Sequence, residues 1–198
     1  MEIFERTYKL TFTDELLGTM PGDPEIFRNF VAKKVETVDE EADSIPVDVE
    51  NEIEKGTTVF PRTEAGQPFI YDYQIRGFFK EACKFLKKIT GTKSSKEKAY
   101  KQKIDGLVFV KDRQNIIVVN GDIGICERPL RASTPQGDRV ALSRSEAVPG
   151  GSVVTFTVQC LIKSDLDLVE EWLDYGTLHG TGQWRSSGKG RFTYTEIK

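Results

Sequence analysis

The strongest constraint on the fold is one amphipathic segment, residues 73–89. Its apolar side chains recur at helical spacing, which predicts a long helix that begins after a capping Asp72. Exposing that face to water would cost several kcal/mol, so the helix must pack on another layer. The apolar face comprises Ile75, Phe78, Phe79, Ala82, Cys83, Phe85, Leu86 and Ile89. Of these, we predict burial for Ile75, Phe78, Phe79, Cys83, Leu86 and Ile89. The basic side chains turned outward are Arg76, Lys80, Lys84, Lys87 and Lys88.

Strand patterns on both sides of this helix predict the layer that covers it. Alternating or continuous apolar runs, bounded by turn residues, are typical of strands. They span residues 4–12, 69–71, 107–110, 116–119, 123–131, 140–146, 153–162 and 191–197. The two runs that flank residues 133–138 predict a hairpin with its tip there. A second helix follows Ser164, with Asp167 placed to complete a capping box.

The order of these elements favours an α+β protein, with a ferredoxin-like (RRM-like) core and a mostly antiparallel sheet. We predict a single domain over residues 1–198, with a β-rich insertion at about 104–150. Asp23, Pro24 and Glu25 predict the start of a further short helix. Residues 35–56 are rich in carboxylates and predict an acidic, flexible insertion outside the core.

Charge is distributed unevenly along the chain. The net charge is −3, yet residues 76–103 hold ten basic side chains and two acidic ones. That segment favours a polyanionic partner. The chain has no apolar run long enough to span a membrane and no basic leader, so we expect a cytoplasmic protein that does not bind membranes. Its three cysteines fit neither a disulfide framework nor a zinc site, and we expect core thiols.

The segment from Gly176 to Arg191 is a Gly-rich loop with three basic residues, and it holds the only histidine, His179. Its five glycines permit tight turns and close approach to a ligand, and successive N–H groups can bind an anion. The spacing and context do not match a P-loop or a dinucleotide fingerprint. We find no catalytic constellation, metal site or cofactor motif, so the sequence predicts a protein that is not an enzyme.

Three motifs, in order, resemble the repeat-associated mysterious protein superfamily, the RNA-binding subunits of CRISPR effector complexes. They are Gly66-Gln67-Pro68-Phe69-Ile70 followed by Ile75-Arg76-Gly77, then Val148-Pro149-Gly150-Gly151, then the Gly-rich loop. The resemblance to the backbone subunits implies an RRM-like fold that sheathes guide RNA mainly through its backbone. The basic side of the helix and the Gly-rich loop together predict a nucleic-acid-binding set of Arg76, Lys80, Lys84, Gly180, Gly182, Trp184, Arg185, Gly188, Lys189, Gly190 and Arg191.

Two departures from the family pattern matter. Tyr71-Asp72-Tyr73-Gln74 stands where the family has Pro-Gly-Ser-Ser. Residues 56–62 lack the aspartate that RNA-cleaving members carry there, so the resemblance implies binding without cleavage. The whole chain also resembles phage and prophage proteins.

The sequence leaves several functions open. The leading hypothesis is a non-catalytic protein that binds single-stranded nucleic acid, with RNA favoured, through phosphate contacts. One alternative is a phage-encoded interaction protein that inhibits a CRISPR effector or another host defence protein by mimicking a backbone subunit. Another alternative is a protein that sequesters a nucleotide signal in the Gly-rich loop. Homo-oligomer formation also stays open. We predict that Arg76, Arg185, Lys189 and Arg191 converge on one surface.

Overall fold

The computed structural model describes residues 1–22, 57–134 and 137–197, with side chains described outside 130–141. Its strands are β1 (Phe4–Phe12), β2 (Leu16–Leu17), β3 (Met20–Pro21), β4 (Thr57–Val59), β5 (Phe69–Tyr71), β6 (Val108–Val110), β7 (Gln114–Val118), β8 (Gly124–Thr134), β9 (Gly137–Val148), β10 (Val153–Cys160) and β11 (Phe192–Ile197). Its α-helices are α1 (Asp72–Leu86), α2 (Tyr100–Leu107) and α3 (Asp165–His179).

The main sheet has the strand order of a ferredoxin-like core, which confirms the predicted α+β class. β1 lies in the centre, between β11 and β10, and all of these pairs are antiparallel. β6 and β7 both pair with β10 on its other side, and together they occupy one strand position. Lys111, Asp112 and Arg113 interrupt that position between Val110 and Gln114. β5 extends the sheet beyond β7.

Helices α1 and α3 pack on one face of this sheet and form the core with it. Phe79 of α1 lies 5.4 Å from Trp172 of α3 and 6.4 Å from Phe156 of β10, measured between ring centroids. Tyr8, Phe79 and Trp172 are all at most 1% exposed. Burial of these large rings supplies much of the hydrophobic free energy of folding.

The opposite face of the sheet is polar over its three adjacent strands. β1, β10 and β11 place threonines there, and the hydroxyls of Thr7 and Thr157 lie 2.8 Å apart. Because side chains alternate along a strand, the aromatic residues Tyr8, Phe156 and Phe192 all point to the helix side. These three strands therefore offer no aromatic platform on which nucleic-acid bases could stack, unlike an RRM sheet.

A second sheet is built on the long β8–β9 hairpin. The hairpin is antiparallel from Gly124↔Ala147 to Thr134↔Gly137, so the predicted tip near 133–138 is confirmed. On its other side β9 pairs with β2 (antiparallel) and with β4 (parallel). β2 and β4 thereby attach the hairpin to the start of the chain.

The helix predicted over 73–89 ends earlier than expected. α1 ends at Leu86, and the hydroxyl of Thr92 then donates to the carbonyls of Leu86 and Ile89. Ile89 therefore lies beyond the helix and is 53% exposed, so the prediction that it is buried was wrong. Phe85, which belongs to the apolar face, is 39% exposed and stacks on Tyr175.

Three local predictions were also wrong. Tyr71, rather than Asp72, occupies the N-cap of α1, and the amide of Tyr71 donates to the Gln74 side chain. Ser164 is the N-cap of α3 as predicted, but the capping box with Asp167 is absent, because the backbone of Ser164 is already helical and its side chain makes no capping hydrogen bond. Cys126, expected in the core, is only partly buried, whereas Cys83 and Cys160 are buried.

Some predictions stay untested, and one helix was not predicted. The acidic segment 35–56 and the helix expected after Asp23 lie outside the described residues. The division into one domain with two insertions stays a prediction. α2 was not predicted, because Tyr100–Leu107 contains Gly106 and has a weak apolar pattern. Only Ile104 of α2 is buried.

Candidate nucleic-acid interface

The Gly-rich loop connects α3 to β11, and its backbone conformation confirms the prediction for its glycines. Gly180, Gly182, Gly188 and Gly190 have φ values of 81°, 80°, 84° and 70°, in the region that favours glycine. Trp184 also has a positive φ, 57°, which is the one such case among the described non-glycine residues. The loop geometry therefore explains its glycines, whereas Trp184 holds a backbone conformation that is unfavourable for its residue type.

The four glycines serve two different purposes. Gly180 and Gly190 lie where the loop crosses itself, and a Cβ on Gly190 would overlap the carbonyl oxygen of Thr181. Both are buried, so their contacts are internal to the loop. Gly188 is different, because a Cβ there would lie 3.6 Å from the Arg191 guanidinium, an ordinary contact. Gly182 faces the cleft described next.

A cleft of about 520 Å³ lies between α1 and the Gly-rich loop. We call it the loop cleft. Its walls are Tyr73, Gly77 and Glu81 on one side and Gly182 and Arg185 on the other. Leu16, Phe69 and Phe78 are among its apolar lining. This volume and mixed lining are typical of a small-ligand site or of one segment of a polymer site.

Several backbone N–H groups of the loop have no backbone acceptor among the described residues. The amides of Thr181, Ser187, Gly188 and Gly190 donate to backbone carbonyls. Among the described residues, the four successive amides of residues 182–185 have no backbone acceptor. Successive free N–H groups form an anion-binding site when they point to a common centre.

Arg185 is held by two partners at the cleft. Its Nη1 donates to the carbonyl of Gly182 at 2.9 Å, and its Nη2 lies 2.9 Å from Glu81 Oε1 of α1. The same carboxylate oxygen lies 3.4 Å from His179 Nε2, and the His179 ring packs on Tyr175 at 4.9 Å. Glu81 thus connects the loop to α1, and His179 contacts Glu81 and Tyr175.

Most of the basic residues predicted to bind nucleic acid are already paired with carboxylates. Arg76 lies 3.1 Å from Asp72, Lys80 lies 2.6 Å from Asp105, and Lys189 lies 2.6 Å from Glu15. The hydrogen bond with Glu15 raises the pKa of Lys189. Arg191 is exposed.

The structure does not bring Arg76 and Arg185 onto one face of α1. Arg185 bonds to Glu81, whereas Arg76 lies five positions earlier in the helix and pairs with Asp72. Five residues correspond to about 140° around a helix, so the two arginines lie on different sides of α1. Lys80, one turn after Arg76, contacts α2 through Asp105. The expected convergence of four basic residues therefore does not include Arg76.

The sequence analysis missed three residues that organise the loop. Arg128 of β8 is 6% exposed, and its Nη2 donates to Gln183 Oε1 at 2.7 Å. The Trp184 ring lies over the same guanidinium, 5.0 Å from its centre. Burial lowers the pKa of Arg128. The three missed residues are thus Arg128, Gln183 and Glu81, since Trp184 was in the predicted set. An inward-facing arginine in the alternating β8 pattern was the available indication for Arg128.

Two negative findings concern the described residues. In the ranges 1–22, 57–134 and 137–197, no helix has the length and apolar character needed to cross a membrane. The same ranges hold no group of three or more histidine, cysteine or acidic side chains placed to share a metal ion.

Comparison with known proteins identifies the fold. No family model and no curated protein sequence matches the chain. A chain of the type III-B Cmr-beta complex bound to cognate target RNA matches over the whole of this chain, with a TM-score of 0.57 and 10% identity. This chain spans 61% of the length of that one. A chain of a type IV-B CRISPR complex matches 98% of this chain and is 90% covered, with a TM-score of 0.49 and 11% identity.

Proposed function

We propose that the protein binds single-stranded RNA, without cleaving it, along the loop cleft. The observation that carries the proposal is the run of amides at residues 182–185, which have no backbone acceptor among the described residues and whose two end residues, Gly182 and Arg185, line the cleft. Four neighbouring N–H donors suit phosphate oxygens, which a polynucleotide presents at every residue. The shared fold with a chain of an RNA-bound CRISPR complex supports the choice of RNA.

The mode of binding follows from the charges that are already paired. Arg185, Lys80 and Lys189 bond to carboxylates, so phosphate contacts through them require an exchange of partners. Amide donors and aromatic stacking therefore contribute a large share of the affinity. For single strands, log affinity falls with log salt by about 0.7 per neutralised phosphate. We expect a shallow slope that corresponds to only a few phosphates.

Tyr73 is the aromatic residue best placed for stacking at the cleft. It is 41% exposed at the cleft wall, and its ring stacks on Tyr71 with a centroid distance of 5.1 Å. Stacking of a base on an aromatic side chain contributes about 1–3 kcal/mol. Phe109 offers a matched control, because it is 37% exposed but lies on β6, away from the cleft lining.

The test is a titration of labelled single-stranded RNA, with matched DNA, followed by fluorescence anisotropy at several salt concentrations. We expect binding of RNA at low salt, a loss of about tenfold in Tyr73→Ala, and no change in Phe109→Ala. Equal losses in both variants would move the site to the sheet. Absence of RNA binding at low salt would overturn the proposal. Capture of a host protein free of nucleic acid would then favour the interaction-protein alternative.

A further inference from the structure

A buried arginine beside the Gly-rich loop lacks the partners that its charge requires. Arg128 is 6% exposed, and its Nε and Nη1 have no hydrogen-bond acceptor. Its Nη2 donates to the neutral amide oxygen of Gln183, and the sulfur of Cys126 is a further, weak polar partner. No ion pair joins Arg128 to a carboxylate among the described residues. A guanidinium does not lose its proton in proteins, so this buried charge has no compensating carboxylate in the part of the chain that the structure describes.

The neighbouring hairpin residues do not supply the missing charge. Glu127, the next residue along β8, pairs with Arg144 of β9. Since side chains alternate along a strand, Glu127 and Arg144 lie on the face opposite to Arg128. On the Arg128 side, the sulfur of Cys126 and the ring of Trp184 are the other neighbours. An aromatic ring attracts a cation but offers no acceptor for Nε and Nη1.

The residues that hold Arg128 also carry free backbone donors. Gln183 and Trp184 contribute two of the four amides that have no backbone acceptor among the described residues. Trp184 keeps a left-handed backbone conformation, with φ 57°, and its ring lies over the guanidinium. A charged side chain and adjacent amides with unused donors share one chemical requirement, which is an anion with several oxygens.

We propose that Arg128, Gln183 and Trp184 form a subsite for a phosphate group, distinct from the loop-cleft lining. This inference rests on the proposed function, since it names one phosphate of the bound strand as the occupant. The phosphate takes hydrogen bonds from the Arg128 guanidinium and from the amides of Gln183 and Trp184. Arg128 is covered by Trp184, so binding requires the indole ring to shift. A nucleobase attached to that phosphate can then stack on the exposed part of the ring.

The indole provides the readout. The chain has two tryptophans, and Trp172 is 1% exposed in the core, so a ligand-dependent fluorescence change reports Trp184. Titrations use inorganic phosphate, a mononucleotide and single-stranded RNA in separate arms. We expect each to change the fluorescence, and RNA to act at the lowest concentration. Trp184→Phe should abolish the change without abolishing folding.

Substitutions at Arg128 test the subsite against a purely structural role. Arg128→Gln and Arg128→Met should weaken RNA binding by about tenfold or more, and should remove the fluorescence response to phosphate. Arg144→Gln, on the opposite face of the hairpin, should change neither. Arg128→Met should keep the thermal midpoint or raise it, because replacing an uncompensated buried charge by an apolar side chain is often stabilising.

The outcomes separate this inference from the proposed function. If RNA binds and Arg128→Met keeps full affinity and the phosphate response, the subsite is wrong and the RNA proposal stands. If the wild-type chain does not bind RNA but shows an Arg128-dependent response to phosphate or mononucleotide, the RNA proposal is wrong and the subsite stands. If both Arg128 variants lose thermal stability and affinity in parallel, Arg128 is structural and the subsite is overturned.

Discussion

Trp172 and Trp184 mark two regions that are built in opposite ways. Trp172 is 1% exposed in a helix, and its indole N–H donates to Ser94 Oγ at 3.0 Å. Ser94 in turn donates to Glu171, which also accepts the amides of Lys93 and Ser94. Trp184 lies in the Gly-rich loop, over a guanidinium with two unpaired nitrogens. The polar groups around Trp172 are hydrogen-bonded to one another, whereas the guanidinium beside Trp184 has two nitrogens without an acceptor.

The largest expected difference between these regions is in stability. Trp172→Ala should lower the free energy of unfolding by about 3–5 kcal/mol, because it empties a close-packed core site. Trp184→Ala should cost less than about 1 kcal/mol, since the ring is partly exposed. The positive φ disfavours Ala as well as Trp, so it does not change the difference between them. Denaturant unfolding measures both. A similar cost for the two variants would remove the distinction.

The glycines allow the same comparison within the loop itself. Gly190→Ala should cost about 3 kcal/mol or more, because a positive φ and a clash with the Thr181 carbonyl add. Gly188→Ala adds no clash, so only the positive φ should lower the free energy of unfolding, by about 1 kcal/mol. Gly66→Ala, with φ 80° and open space around it, is the matched control for φ alone. Equal costs at Gly190 and Gly66 would show that the loop crossing is not tightly packed.

Alkaline pH should weaken the core region through Cys160. Burial, followed by the nearby Asp165 carboxylate, raises the pKa of this thiol to about 12. In the unfolded chain the pKa of a thiol is about 8.5. Between these two pKa values the folded chain therefore binds more protons than the unfolded chain. Stability contributed by this group is complete below about pH 8.5. It should decline by at most about 1.4 kcal/mol per pH unit as the pH rises toward 12. Cys160→Ala should show a flatter decline, and an identical decline would exclude this thiol.

The smallest expected effect is a difference in thiol reactivity. Cys126 is partly exposed near Arg128, whereas Cys83 and Cys160 are buried in the core. A thiol reagent should therefore label one cysteine in the native protein and three after unfolding. Bound RNA should slow the labelling of Cys126 if the Arg128 subsite is occupied. Unchanged labelling would place the RNA away from β8.

Sequence reasoning was most successful where one pattern has one structural solution. The apolar stripe of residues 73–89 predicted α1, and the alternating run 4–12 predicted β1. It was less successful at element ends, where a single hydrogen bond decides the boundary. The hydroxyl of Thr92 bonds to the carbonyls of Leu86 and Ile89, and the helix ends before it reaches Ile89. The residue type of Ile89 gives no sign of where the helix ends.

The candidate site was only partly predictable for a related reason. The glycines at 180, 182, 188 and 190 identified the loop, and their positive φ values confirm that part. The basic residues were chosen by charge alone, and four of them proved to be paired with carboxylates. Glu81 is 104 residues from Arg185 along the chain, so their contact depends on how α1 and the loop pack.

The sequence by itself determined the α+β class, the ferredoxin-like order of elements and the position of the Gly-rich loop. These depend on hydrophobic periodicity and on glycine, which act over a few residues. Only the tertiary structure decided which cations are paired, that Arg128 of β8 lies under Trp184, and that Gly182 and Arg185 of the loop line a cleft with α1. Such facts depend on groups brought together from distant parts of the chain, and no local pattern encodes their burial or their hydrogen-bond partners.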